Sequence, residues 1–463
     1  MSKNSRSSIR KNQHKTSKVS KKISSDEEIE EQKENELNSY IELLSESNYK
    51  SRQKGYSNLI NYLKSNYDEE FNDFKETVTS SLVKSIKKGK NSEQIQVFQV
   101  LSLFALNDPS SAFNLFQIFK PVILKLLQDN RYSSVSAAAV EALSILSFIL
   151  CYTEHMHLSK EIITNYLDYL DQTKIYQRSN QSELTRNIFI GISLILSILP
   201  QNSIFDPYII TEITKNSNEN SNEKPNEKSI ENSNEKEVEK NSNEKEVEKN
   251  SNYFQENHQD NLSTIDSADP NKNEPKFFDY YMKILIQALD SQNLEVQKSV
   301  GNNIALLFYI KDNYEENHNT ILNIETNTTE VENKIEQYIK IYDKKESKEY
   351  RNERKKYMKT ILRSITEEEY PQEMIKIKMN KISIQDWPMT IQYQVFSRCF
   401  AGGLQFQFES NPFFSQVFDY QLTKVRYLEK KQEKKDFVEK QKQIKQKRGK
   451  DRDNKLRRMQ NDF

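Results

Sequence analysis

Residues 135–152 read VSAAAVEALSILSFILCY, and residues 182–199 read SELTRNIFIGISLILSIL. Neither stretch alternates apolar with polar residues at a period of two, as a half-buried strand would. Both are apolar around most of a helical circumference, which marks helices buried in a core. Their most apolar parts, Val140–Tyr152 and Ile188–Leu199, are shorter than the ~18–20 residues that span a bilayer. A soluble protein with no membrane partner is therefore expected.

The same periodicity extends outward. Phe71, Phe74, Val78, Leu82 and Ile86 form an apolar stripe closed by Gly89. Asn91 and Gln94 then resemble a capping box opening the next helix. Further helices are expected at Ala112–Leu127, Glu161–Leu170, Val331–Tyr342 and Glu346–Ile365, with Pro109, Pro200 and Pro207 at boundaries. The helices come in pairs that begin near residues 37, 69, 112 and 157. That interval suits a HEAT or armadillo repeat of roughly 40–47 residues. One pair cannot bury its own apolar face, so stacking must supply the core. The expected fold is all-α: an armadillo/HEAT-like helical-repeat superhelix with a small C-terminal helical module and a basic tail helix.

Composition divides the chain. Residues 1–34 form a basic, then acidic arm with little to bury, and disorder is expected there. Residues 35–214 carry the first part of the repeat domain. At 215–272 the pattern breaks, and NSNEKEVEK occurs twice in succession, at 232–240 and 241–249. This low-complexity insertion reads as an expanded repeat in a permissive loop or as a spacer. Residues 273–366 resume the repeats, 367–420 form an aromatic-rich C-terminal module, and 421–463 are a basic tail.

The chain has 463 residues, with 68 Lys and Arg against 68 Asp and Glu. The zero net charge conceals segregation. Residues 1–25 carry eight basic side chains and no acidic ones, and no apolar run that would read as a targeting segment. Residues 421–463 hold sixteen basic and seven acidic side chains, so the intervening body carries −17. Cationic ends on an acidic body point to anionic partners, or to solvated tails that oppose aggregation.

Chemistry finds little support. Only seven glycines occur, and none form a phosphate-cradling GxGxxG or GxxxxGK[ST]. Two cysteines, Cys151 and Cys399, allow no disulfide framework. Cys151, His155 and His157 offer three metal ligands at one helix end, but a structural zinc needs four. Cys399 has Arg398 beside it but lacks a nearby His, so packing is the favoured reading. No enzyme activity, cofactor, metal or small-molecule substrate is expected.

Two cationic tracts stand out. In the first, Lys344, Lys348, Arg351, Lys355 and Lys359 fall at helical spacing on one face. Tyr350, Tyr357 and Ile361 sit on another side and are expected to pack on the body. Such a stripe repels itself by a few tenths of a kcal/mol per like pair, a cost that a bound polyanion would offset. The alternative is a solvated face balanced by Glu346, Glu349 and Glu353. The second tract is the tail. Residues 421–447 lack Pro and Gly and favour a helix of about 40 Å at ~1.5 Å per residue. Lys440, Lys442, Lys445, Lys447, Arg448, Lys450, Arg452, Lys455, Arg457 and Arg458 are its candidate phosphate contacts. A thin basic helix without an apolar face suits an RNA-lined channel. Free charge, or a nuclear-import tract, is the other reading.

Several segments together resemble the interferon-related developmental regulator family. Lys87-Lys88-Gly89-Lys90 precedes Glu93-Gln94, and Leu289-Asp290 precedes Asn302-Asn303-Ile304 through Phe308. Arg351 through Arg363 precedes Glu367-Glu368-Glu369-Tyr370-Pro371. In the module, Trp387, Tyr393, Phe396, Gly403, Leu404, Gln405, Ser410, Asn411, Phe413, Val417 and Phe418 follow the family's order and spacing. Lys447 through Asp453 resembles its basic terminus. Departures are Ala401 for a usual Gly, Gln407 for a frequent His, and Pro388 after the Trp. The resemblance implies a helical scaffold without catalysis. It implies either occupation of idle ribosomes through a C-terminal helix or transcriptional co-regulation through protein contacts of the repeat surface. The expected partner is the ribosome and its RNA, with transcriptional regulators as the alternative, in cytoplasm and nucleus.

Overall fold

The computed structural model describes residues 35–420 apart from 68–73, 130–132, 154, 201–275, 323, 325, 342–345, 378 and 379. The arm at 1–34, the insertion at 215–272, Lys344 and the whole tail from 421 lie outside the described residues.

Helix α1 (residues 35–45) pairs with α2 (Tyr49–Ser65), where Gly55 lets Leu43 and Leu44 approach closely. Then come α3 (Lys75–Lys88) with α4 (Asn91–Asn107), and α5 (Ala112–Asp129) with α6 (Ser133–Tyr152). Helix α7 (Met156–Thr173) pairs with α8 (Ser182–Leu196), α9 (Lys276–Ala288) with α10 (Leu294–His318), and α11 (Thr328–Lys340) with α12 (Lys348–Thr366). The even-numbered helices stack side by side from α2 to α12. From α3 onward, each odd-numbered helix lies against the even one that follows it. This is an all-α helical-repeat fold.

The core runs unbroken along the stack, from Leu37 at one end to Ile361 at the other. Helix α6 is its centre. It is longer than the apolar segment read from the sequence, and over Ser133–Tyr152 it is long and apolar enough to cross a membrane. Here its apolar surface is spent against α4, α5, α7 and α8. Helices α6 and α8 approach so closely at Gly191 that a Cβ there would lie 2.2 Å from Ser144 Oγ. Pro121 sits inside α5 on its exposed side, where the lost backbone hydrogen bond is least costly.

Buried polar groups link successive layers. Tyr56 donates to Ser81 O at 3.0 Å, and Tyr166 donates to Val140 O at 3.1 Å. Burial pushes the Tyr56 phenol up to about 12, so it stays a neutral donor. Asn303 on α10 donates to Phe189 O on α8 at 2.9 Å, joining helices that flank the undescribed stretch. The start of α4 departs from expectation. Lys90, not Asn91, is its N-cap and offers no side-chain cap, while Gln94 turns back to donate to Ile86 O at 2.7 Å. Glu93 beside it is 0% exposed and receives a two-pronged ion pair from Arg52, at 2.7 and 3.1 Å.

The C-terminal module is not purely helical. Strands β1 (Glu373–Ile377) and β2 (Asn380–Ile384) form an antiparallel hairpin that sets Ile375 opposite Ile382. Three helices follow: α13 (Trp387–Phe400), α14 (Leu404–Ser410) and α15 (Pro412–Val417). Pro388 occupies the first turn of α13, where its missing N–H is no loss, and Asp386 caps that turn by accepting from Met389 N at 2.8 Å.

This module lies back along the even-numbered ladder. Helix α13 touches α10, α8 and α4, and α14 reaches α2. Phe148 of α6 meets Phe396 and Phe413 edge-on. Gln407 donates to Leu63 O at 3.1 Å, and Asn411 donates to Leu106 O at 3.0 Å and to Gln407 Oε1 at 3.0 Å. Two amides thus bind carbonyls at the carboxyl ends of α2 and α4, groups a helix cannot satisfy itself.

The turn before α14 yields a test with opposite signs. Ala401 has φ 47°, a left-handed conformation in which a Cβ is strained. Gly403 lies against α2, where a Cβ would fall 2.1 Å from Lys64 O. In urea denaturation, Ala401→Gly should stabilise by about 1 kcal/mol, net of the entropy that glycine adds to the unfolded chain. Gly403→Ala should destabilise by about 2–4 kcal/mol, because backbone must move.

Candidate nucleic-acid interface

Helix α12 begins at Ser347, whose hydroxyl accepts from Tyr350 N at 3.1 Å. Its apolar side is held firmly. Tyr357 and Ile361 pack on Gly301 of α10, Tyr357 donates to Lys298 O at 2.7 Å, and Tyr350 donates to Gln292 O at 3.1 Å. These contacts fix the rotation of the helix, and so decide where every cation points.

At about 100° per residue, Lys348, Lys355 and Lys359 lie within about 20° of the direction opposite Tyr357. They face away from α10, on the open end of the stack. All three are exposed, and none has a hydrogen bond or ion pair among the described residues. Arg351 is half-buried, and its guanidinium donates to Glu346 O. The structure therefore brings Lys348, Lys355 and Lys359 together as free charges. Arg351 sits at their margin, tied to the turn before the helix.

Arg354 belongs to the same cationic run but does a different job. It is 4% exposed, meets Glu346 Oε1 at 2.5 Å and donates to Ile341 O at 3.1 Å. It fastens the α11–α12 connection. Glu346 is consumed by that bond, and Glu353 by Lys298 at 2.6 Å. Two of the three carboxylates expected to balance the stripe are thus turned to internal partners.

Within the module, most residues that carry the family resemblance are structural. Trp387 and Phe396 are buried, and Phe396 lies 5.1 and 6.0 Å from Phe414 and Phe418. Tyr393 lies tilted beside Phe408, with ring centroids 6.5 Å apart, and Asn411 both caps α15 and grips α4. Gly403 serves close approach. Gln405 is exposed. Gln407, read from sequence only as a departure, is the residue that binds α2. It is one of two glutamines in the run Leu404-Gln405-Phe406-Gln407-Phe408, and no periodicity singles it out.

The thiols and histidines do not converge. Burial pushes the Cys151 thiol up to about 11, and His155 is stacked on Phe113 at 4.5 Å. Burial likewise raises the Cys399 thiol, reinforced by Glu141 beside it. Both effects suppress the reactive thiolate. Among the described residues, no group of three or more His, Cys, Asp or Glu is placed to hold a metal ion.

A family model described as Interferon-related developmental regulator matches residues 1–223 and 261–366. No match to a curated protein is found.

The division of labour along α12 is measurable. Lys355→Gln and Lys359→Gln should each change folding stability by less than about 0.5 kcal/mol. Arg354→Ala should cost about 2–4 kcal/mol, since it leaves the Glu346 carboxylate without its partner. Equal effects in chemical denaturation would contradict the assignment.

Proposed function

The chain belongs to the interferon-related developmental regulator family, and from that premise we propose that it is a non-enzymatic regulator of gene expression that binds RNA on the ribosome. Membership and the helical-repeat fold suggest the regulatory role. The observation that carries the finer reading is the row of Lys348, Lys355 and Lys359, exposed together at the free end of the stack. Closely spaced ammonium groups repel one another and gain most when a phosphate backbone lies across them and releases its counterions. The tail adds sixteen basic side chains in sequence. In this proposal the stack docks on ribosomal RNA through α12, and the tail enters an RNA-lined channel of an idle ribosome, where it blocks use of that ribosome. Such contacts need no base-specific reading, in keeping with a site that offers charge without exposed aromatic stacking groups.

A second reading, a nuclear co-regulator acting through protein contacts of the repeat surface, is favoured by the groove described below. The two differ in what nuclease does to the complexes and in where the protein accumulates, cytoplasm or nucleus.

Sedimentation of extract with and without ribonuclease separates them. The ribosomal reading expects co-sedimentation that ribonuclease abolishes and that removal of residues 421–463 abolishes. With purified ribosomes, Lys348→Gln/Lys355→Gln/Lys359→Gln should weaken binding about tenfold or more and flatten the dependence of log affinity on log salt by about 2–3 units. Unchanged affinity and slope would refute the role of α12.

A further inference from the structure

Where α13 crosses the ladder it leaves a groove of about 490 Å³ against α8, α10 and α12. Its lining mixes aliphatic Ile190, Ile391 and Val395 and the side of Tyr357 with polar Ser193, Ser299, Asn302, Thr360 and Gln394. Its rim carries Arg186, Lys298, Lys356 and Arg398. A second hollow, of about 190 Å³, continues along α13 towards α4 and shares Arg186 and Arg398 with the first. The two form one channel beside α13, distinct from the lysine row at the end of the stack.

The charges in it are not equivalent. Lys298 is bound by Glu295 at 2.8 Å and Glu353 at 2.6 Å, and Arg398 is bound by Glu141 at 3.0 Å. Arg186 meets only the neutral Asn187 Oδ1, at 3.2 Å, and Lys356 has no ion pair among the described residues. Two cations from different helices, Arg186 and Lys356, therefore stand without an ion-pair partner among the described residues, although Glu183, Glu295 and Glu353 line the same walls. Aliphatic groups interleaved with polar and charged ones match the mixed character of a non-obligate protein-docking surface.

Two occupants match unpaired cations: a single-stranded nucleic acid and an acidic peptide. The lining decides between them. Single-stranded bases are held by exposed aromatic faces. Here Tyr357 is packed on Gly301 with its hydroxyl engaged by Lys298 O, and Phe98 in the second hollow is fully buried. The rim also alternates in sign, with Glu295 and Glu353 between the cations. A continuous phosphate chain would meet those carboxylates. A peptide places charge only where its side chains require it.

We propose that the channel beside α13 docks a partner protein through a short segment in which aliphatic side chains alternate with Asp or Glu. The aliphatic groups rest on half-buried Ile190 and the side-chain stems of the rim, and the carboxylates pair with Arg186 and Lys356. Because α12 presents Lys356 to this channel and Lys355 and Lys359 to the end face, one helix serves both surfaces. A protein partner and RNA can then be held at once.

The test uses the full chain and a fluorescein-labelled peptide of about twelve residues alternating Glu with Leu, read by fluorescence anisotropy. Saturable binding is expected. It should weaken about tenfold or more in Arg186→Gln/Lys356→Gln, and stay within about twofold in Lys348→Gln/Lys355→Gln/Lys359→Gln. Circular dichroism melting checks that the variants fold. Should the double variant lose its fold, Lys356→Gln alone, an exposed position, should still weaken binding. The proposal is overturned by an absence of saturable binding, or by equal binding of a peptide with Lys in place of Glu. It is also overturned if the Arg186 and Lys356 variant loses affinity for oligouridylate instead. Loss of ribosome binding in the end-face variant, with peptide binding kept, would leave the two surfaces independent.

Discussion

The amides of Gln407 and Asn411 reach carbonyls at the carboxyl ends of α2 and α4, and much of the architecture depends on that reach. A helical-repeat stack has no long-range closure of its own, since each pair touches only its neighbours. Here the last fifty or so residues before the tail lie back along the ladder and tie its first helices to its later ones. Gln407 meets Leu63 in α2, Arg398 meets Glu141 in α6, Gln392 meets Ser197 after α8, and Asp386 meets Tyr309 in α10. The phenylalanine cluster around Phe396 and Phe414 supplies the apolar side of the same joint. A one-dimensional stack becomes a cross-braced body.

That bracing settles which surfaces are left for partners. The length of ladder under α13 and α14 is used up by the chain itself. The end face at α12 and the channel that runs beside α13 are among the surfaces left open in the described residues. Both depend on the seating of α12 on α10, because Tyr357 and Ile361 set the rotation that sends Lys355 one way and Lys356 another. The polar end of a repeat stack also serves solubility by capping the last apolar layer. Capping alone, however, is served by mixed charge. It does not account for Glu346 and Glu353 both being drawn to internal partners while three lysines stay unpaired.

How much of this was legible in the sequence follows from the range of each interaction. The helices were readable because burial on one face repeats at 3.6 residues, as in Phe74, Val78 and Leu82. Their pairing was readable from spacing. The hairpin was missed although Ile375 and Ile377, then Ile382 and Ile384, alternate, because the runs are short and interrupted by lysines. The capping box at Asn91 failed for a tertiary reason: Arg52, distant in sequence, claims Glu93, and Gln94 is drawn to the preceding helix. Arg354 could not be separated from Arg351 or Lys355 by sequence, since only the position of Glu346 in space makes it structural. The docking of the module was invisible for the same cause. Gln407 and Asn411 are short polar residues whose partners lie some three hundred positions earlier, and no local pattern encodes that pairing.

Ala401 and Gln407 give this joint two further physical features. Ala401 holds a positive φ that glycine would adopt freely, so the turn into α14 stores strain in this chain. The Gln407 amide donates to Leu63 O while accepting from Asn411. Unlike an imidazole, an amide does not change charge near neutral pH. The Gln407 and Asn411 bonds therefore hold no group that titrates near neutral pH, whereas burial raises the carboxyl of Asp386 elsewhere in the same brace.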